Sequence, residues 1–251
     1  MKLPRLAFVC CSILVIGLAA ELCGQEKLNT PPAGFTALFN GKDLTGWRGL
    51  PLKMNTSEKN KAARPMVPLT MPERLKASPG ELEEAQRLGD QSAKEHWTVE
   101  NGVIVFDGKG QNLITAKDYG DFELYVDWKI KERGDSGIYL RGTPQIQIWD
   151  PFTAPNTKTG EDKGSGGVFN NQKNSKEPTA KADKPIGEWN TFWIKIVGDK
   201  VSVKLNDKLV VDNVTMENYW ERDKPLYPKG TIELQNHGNT LYFRNIYVKE
   251  L

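Results

Sequence analysis

Two runs carry the side chains best suited to bind a polar ligand. They are Asp135-Ser136-Gly137-Ile138-Tyr139-Leu140-Arg141 and, after the turn Gly142-Thr143-Pro144, Gln145-Ile146-Gln147-Ile148-Trp149-Asp150. Both alternate with period two, as half-buried strands do. Ile138, Leu140, Ile146 and Ile148 face one way, and Tyr139, Arg141, Gln145, Gln147 and Trp149 face the other. A solvent-side strand face ordinarily carries Lys, Glu and Thr, whereas this one carries two aromatic rings, a guanidinium and two amides. Flat rings stack on the apolar faces of sugars, while amides and Arg bind hydroxyl and carbonyl oxygens. The pattern predicts a ligand-binding sheet face; the alternative is a second core layer with the amides tied to backbone. Three groups are suited to moving protons. Asp150 and Glu233 sit beside polar residues on alternating strands, and His237 lies in a Gly-flanked turn just after Gln235. His237 has the chemistry of an acid or a metal ligand, against the alternative of a loop histidine bonded to backbone. No closely spaced His/Asp cluster supports a catalytic metal, and a structural calcium on loop carboxylates and carbonyls stays open.

These side chains need a β scaffold, and the pattern supplies one. Trp97 to Glu100, Asn101-Gly102 and Val103 to Phe106 read as a hairpin with a two-residue turn. Phe122 to Ile130 alternates, burying Phe122, Leu124, Val126, Trp128 and Ile130. Thr191 to Val197, Lys200 to Leu205 and Lys208 to Val211 read as a meander, and Thr231 to Gln235 and Leu241 to Lys249 close the chain. Roughly a dozen short strands with hardly any helix predict an all-β sandwich. Residues 50–95 differ in kind, with five prolines, many charges and a short helix expected over Glu81 to Leu88. They read as a surface insertion that is a solvated excursion, the alternative being a lid over the site. Pro151 to Pro185 reads as long loops at one end of the sheets.

Composition narrows the function classes. The chain has 251 residues and a net charge of +2, with lysines and acids interspersed. No basic stripe is present, so nucleic acid is not an expected partner. Residues 1–24 read as an export signal: Lys2 and Arg5 precede an apolar run from Ala7 to Ala20, too short and early for a membrane span. Removing them leaves a net charge of +1 and no transmembrane segment, and predicts a periplasmic or extracellular protein. All 3 cysteines, Cys10, Cys11 and Cys23, lie in this segment. The mature chain would then have no disulfide, cysteine nucleophile or thiolate metal site. Lipidation at Cys23 is the secondary reading, since Leu22 stands where a small residue is expected. Residues 25–34 read as a linker and 35–251 as one domain.

A set of motifs in order resembles the 3-keto-disaccharide hydrolase family. They are Phe39-Asn40-Gly41-Lys42-Asp43-Leu44-Thr45-Gly46-Trp47, Trp97-Thr98-Val99-Glu100-Asn101-Gly102, Tyr119-Gly120-Asp121-Phe122-Glu123-Leu124, Ser136 to Arg141, Gly187-Glu188-Trp189-Asn190, Ile232 to Gly238 and Phe243-Arg244-Asn245-Ile246. They span nearly all of the expected domain except residues 50–95. The resemblance implies a concanavalin-like jelly roll, typically exported by bacteria, that cleaves glycosides whose C3 hydroxyl has been oxidised to a ketone. One position departs from the family pattern. Gln145 stands where a Glu usually precedes the Gln-x-x-Asp ending of the central strand, and a neutral amide cannot be a general base.

The chemistry implied by that substrate follows from its ketone. A C3 carbonyl acidifies the C2 proton, and removing that proton expels the C1 leaving group by elimination, after which water can add back. Such a reaction needs a base near C2, donors at the C3 oxygen and an acid near the leaving oxygen. It does not need the carboxylate pair of an ordinary glycosidase. On this reading Arg141 binds the enolate oxygen, Asp150 and Glu233 are the candidate bases and His237 is a candidate acid. Tyr139, Gln145, Gln147, Trp149 and Gln235 bind the sugar. Arg244 reads as an architectural pair at the sheet edge. The alternative function is a non-catalytic carbohydrate-binding module of the cell envelope.

Overall fold

Alternation and turn chemistry decide where the strands begin and end. The computed structural model describes residues 28–251, so the expected export segment with its three cysteines lies outside the described residues. In chain order the strands are β1 (Thr36–Ala37), β2 (Trp47–Gly49), β3 (Leu52–Met54), β4 (Met66–Pro68), β5 (Trp97–Glu100), β6 (Val103–Phe106), β7 (Leu113–Thr115) and β8 (Phe122–Ile130). They continue as β9 (Asp135–Leu140), β10 (Thr143–Trp149), β11 (Asn190–Val197), β12 (Lys200–Leu205), β13 (Lys208–Thr215), β14 (Glu233–Leu234) and β15 (Leu241–Glu250). Two helices, α1 (Met71–Lys76) and α2 (Pro79–His96), lie between β4 and β5.

One sheet runs β13-β12-β11-β8-β15-β6-β5, with β1 added along β15, and the second runs β10-β9-β14-β7-β2. The pairings are antiparallel, and the two sheets form a jelly-roll β-sandwich. Phe122, Leu124, Val126, Trp128 and Ile130 of β8 are buried in one cluster with Ile138, Leu140, Ile146 and Ile148 of the second sheet. Each such side chain contributes about 1.5–3 kcal/mol by leaving water. The β5–β6 turn is the expected one, Asn101 and Gly102 having φ of 51° and 78°, which matches a type I′ hairpin. Asp127, on the other face of β8, takes hydrogen bonds from Asn245 Nδ2 at 2.8 Å and Arg244 Nε at 3.3 Å, so Arg244 is an architectural pair.

Residues 53–65 are almost all exposed, as a solvated excursion would be, whereas the segment from Met66 to His96 packs against the sheet. The short helix is the front half of α2, which continues to His96. Its N-terminus carries a full capping box between Ser78 and Glu81, and Ala85, Gly89 and Ala93 form its buried stripe. The stripe docks on β2 at glycines: a Cβ on Gly49 would overlap the Gly89 backbone, and one on Gly89 the Leu50 backbone. Asp90 accepts from Gly49 N at 3.0 Å, and Gln86 Nε2 donates to Gly49 O at 2.7 Å. Helix α1 has its own capping box, Thr70 with Glu73, and presents Arg74 towards the second sheet. At the other end, the loop after β10 folds back along this edge strand. Gln147 N donates to Gly167 O at 2.9 Å and Gly166 N to Gln147 O at 2.8 Å. That cover buries every residue of β10 on both faces.

Candidate active site

The register of the second sheet collects the polar side chains on its outer face. Tyr139 of β9 lies opposite Gln145 of β10 on one side and Glu233 of β14 on the other. Gln147 lies opposite Gly137, and Trp149 opposite Asp135. Gln235 N donates to Gly137 O at 2.9 Å, which continues the β14 alignment. Side chains two apart on a strand share a face, so Asp135, Tyr139, Gln145, Gln147, Glu233 and Gln235 face outward together.

They form a continuous hydrogen-bonded chain. Gln235 Nε2 donates to Tyr139 OH at 3.2 Å. Gln145 Nε2 donates to Gln235 Oε1 at 2.8 Å and to Gln147 Oε1 at 2.7 Å. Gln147 Nε2 donates to Asp135 Oδ1 at 2.8 Å. Asp135 Oδ2 lies 3.1 Å from His237 Nδ1. His237 turns Nδ1 to the carboxylate as an ion-pair contact, and Nε2 is its other nitrogen able to carry or accept a proton. The imidazole is 58% exposed, whereas Gln145 and Gln147 are 3% and 2% exposed. A buried amide chain thus holds a carboxylate, and the carboxylate aims an open imidazole.

Electrostatics follow from this burial. Desolvation pushes the Asp135 carboxyl above its ordinary value, opposed by the charge of His237 and the Gln147 hydrogen bond. Desolvation also pushes the Tyr139 phenol well above its ordinary value, helped by the Glu233 charge, so it stays a neutral hydroxyl. His237 borders two hollows. One is a cleft of about 990 Å³ between the inserted segment and the sheet rim, lined also by Asn112, Gln235 and His96. The other, of about 310 Å³, is lined also by Asp135, Trp149 and Glu161. Gln235 and Asn112 bring amide donors to the larger cleft. Each NH2 has two hydrogens: Gln235 spends one on Tyr139, Asn112 one on Glu233 at 3.3 Å, and each keeps a second.

The expected set is therefore brought together only in part. Tyr139, Gln145, Gln147, Gln235 and His237 belong to one network. Arg141 does not join it. It follows the end of β9 with φ of 56°, which breaks the strand alternation. Its guanidinium is buried, donating to Gly120 O at 2.8 Å and Gly198 O at 2.9 Å and pairing with Asp121 at 2.5 Å. It is a structural clamp, not an oxyanion donor. Asp150 is also committed: it accepts from Arg133 N at 2.8 Å, Phe152 N at 2.8 Å and Thr153 N at 3.0 Å. Desolvation works against its charge, but these donors win and hold its carboxyl below the ordinary range. Glu233 is on the outer face but pairs with Arg74 Nη2 at 2.9 Å and accepts from Thr231 Oγ1 at 3.0 Å, which occupies it as an ion-pair partner rather than a free base. Trp149 is 6% exposed. Its Nε1 donates to Gly164 O at 2.8 Å under the covering loop and its ring meets Phe169 edge to face, so it is a packed residue with only a sliver on the smaller hollow.

Sequence reasoning missed four participants. Asp135 was within reach: the same period two that places Tyr139 leads back through Gly137 to Asp135. Asn112 lies next to Leu113, whose buried face fixes the outward one. Arg74 comes from α1 of the insertion, and His96 is the last residue of α2, directly before β5. Both histidines of the chain line the larger cleft, and each has Nδ1 beside an aspartate, His96 with Asp107 Oδ2 at 3.0 Å. Among the described residues no group of three or more His, Cys, Asp or Glu is placed to hold a metal ion.

Comparison with known proteins places this architecture. Residues 34–249 match the model of the 3-keto-alpha-glucoside-1,2-lyase-like domain. A 3-keto-disaccharide hydrolase of Bacteroides thetaiotaomicron is 25% identical across 93% of this chain and 83% of its own length. A candidate glycosyl hydrolase from Parabacteroides distasonis superposes with a TM-score of 0.62 at 24% identity, over 90% of this chain and 100% of that one. A second from the same organism is 28% identical with a TM-score of 0.52, over 62% of this chain and 91% of the other. The family match runs from before β1 almost to the last residue of β15, insertion included, and the chain belongs to the 3-keto-alpha-glucoside-1,2-lyase-like domain family.

Proposed function

We propose that the protein cleaves 3-keto-glycosides, disaccharides among them, by abstracting the C2 proton, with His237 Nε2 as the base. The observation that carries this is the Asp135–His237 pair at 3.1 Å on the edge of an open cleft. Asp135 fixes the tautomer and stabilises the imidazolium that forms, the role an aspartate plays beside any histidine base. Gln235 and Asn112 direct their spare amide hydrogens at the C3 oxygen, whose negative charge grows as the enolate forms. The C2–H bond breaks towards Nε2, the C1–O bond breaks, and the leaving oxygen takes a proton. Water then adds its hydroxyl to C1, and His237, which is open to solvent and exchanges its proton with water in the meantime, delivers a solvent proton to C2. Two further points support the reading. The network offers no free carboxylate pair for direct displacement at C1, because Asp150 and Glu233 are both engaged. The family and the Bacteroides relative are named for 3-keto sugars.

The test is incubation with a 3-keto-disaccharide and, separately, its unoxidised parent, following products by chromatography. Cleavage of the first alone is expected. Comparable cleavage of the parent would sink the keto-sugar reading, and binding without turnover of either would favour a carbohydrate-binding module.

A further inference from the structure

We propose that His96, the last residue of α2, is the general acid that protonates the departing glycosidic oxygen, so that the inserted segment supplies half of the proton-transfer machinery. The proposal rests on the elimination reading above and adds a residue that no part of the sequence motif points to. Three observations carry it. First, the chain has two histidines, 141 positions apart, and both line one cleft of about 990 Å³. Second, each ring has Nδ1 beside an aspartate: His237 Nδ1 lies 3.1 Å from Asp135 Oδ2, and His96 Nδ1 is hydrogen-bonded to Asp107 Oδ2 at 3.0 Å. The Asp107 carboxylate is itself fixed by Lys109 N at 2.8 Å, and the imidazole rests against Gly110, where a Cβ would come within 2.5 Å of its Cδ2. Third, the two rings differ at the second nitrogen. Glu95 Oε2 lies 4.0 Å from His96 Nε2, so a carboxylate stands near each of its nitrogens.

Elimination requires that division of labour. A sugar alkoxide is a poor leaving group and departs with a proton. If His237 takes the C2 proton, a separate donor must serve the C1 oxygen, and His96 is the one remaining histidine on the cleft wall. The proton passes from His96 Nε2 to the glycosidic oxygen as the C1–O bond breaks. When water adds, its hydroxyl goes to C1, its remaining proton restores His96, and His237, its proton exchanged with solvent, protonates C2. The leaving sugar would then lie along α2, beside Gln91, Ser92 and Glu95, which line the same cleft.

The experiment compares two leaving groups. A 3-keto-glucoside of 4-nitrophenol releases a stable anion and needs no acid, whereas a 3-keto-disaccharide does. His96→Gln is expected to lower kcat for the disaccharide by about a hundredfold or more, the range for one general acid, and to change nitrophenol release by less than about threefold. Asp107→Asn, which leaves the ring in place, is expected to show the same selectivity to a smaller degree, and it serves if His96→Gln does not fold. His237→Gln is expected to abolish both, because C–H cleavage is common to them. Equal losses on both substrates in the His96 and Asp107 variants, or no loss on the disaccharide, would overturn the proposal. Full activity in His237→Gln would overturn the base assignment and leave the leaving-group test of His96 intact. An inactive wild type on both substrates would overturn the elimination reading and the acid with it.

Discussion

Gly137 and Gln145 approach so closely across β9 and β10 that a Cβ on the glycine would overlap the glutamine amide. The missing side chain lets Gln145 lie across β9 and donate its two amide hydrogens to Gln147 Oε1 and Gln235 Oε1, with Ser136 O a third oxygen 3.2 Å from the same nitrogen. Gln145 is thus the hub of the network. A Glu at this position would face three acceptor oxygens.

Gln145→Glu therefore tests the hub. Gln147 cannot turn its amide to meet a carboxylate without releasing Asp135. The new carboxyl is expected to have a raised folded-state pKa, so its cost is absent below the ordinary Glu value of about 4.3 and grows as pH rises past it. Urea unfolding should show a deficit of roughly 1–3 kcal/mol at pH 8, the cost of an unmatched buried polar group, shrinking towards pH 4. A deficit that does not change with pH would contradict the donor role.

Asp135→Asn should separate stability from activity. Desolvation raises the Asp135 carboxyl, so its ionised form costs stability above the ordinary Asp range, and that cost is absent below it. The variant should melt above wild type at pH 7, with the difference closing towards pH 3. Turnover should fall by about 10²–10⁴-fold, because an amide can donate to Nδ1 and turn Nε2 into a donor. Retained turnover would remove Asp135 from the site.

The Arg74–Glu233 pair ties the insertion to the sheet, with side-chain exposures of 11% and 4%. Arg74→Met leaves Glu233 buried without its cation and should cost about 3–5 kcal/mol. Adding Glu233→Gln should restore part of that loss. A double variant no more stable than the single one would show that the pair is not coupled, and urea titration of the four proteins decides it.

Arg141 was the sequence's first choice for chemistry, and its contacts assign it to stability. Arg141→Met should destabilise by about 2–4 kcal/mol, as expected for orphaning a buried hydrogen-bonded partner. The protein that remains folded should keep its kcat. A normal melting temperature with a hundredfold loss of kcat would reverse the assignment.

The strands were legible because their information is local. Ile138, Leu140, Ile146 and Ile148 sort to the core by alternation, and Tyr139, Gln145 and Gln147 sort outward, as found. Arg141 was misread because period two was carried one residue past Leu140, into a left-handed turn that ends the rule. Asp150 was misread for a related reason, since its three N–H donors come from turn backbone that no alternation describes. In the insertion, the exposed stretch 53–65 and the helix were legible, and the docking was not. Its helix was expected from Ser78-Pro79 and the apolar stripe, but its place on β2 depends on two glycines forty residues apart, Gly49 and Gly89, which no local pattern pairs.

The central claim concerns one proton, and it can be followed directly. Wild-type protein would turn over a 3-keto-disaccharide in deuterated water, with C2 of the released 3-keto sugar examined by proton NMR. Elimination and hydration through His237 predict that the C2 hydrogen of the cleaved unit is lost and that deuterium appears there when water adds back. Cleavage with the original C2 hydrogen retained would mean direct displacement at C1 and would contradict the account.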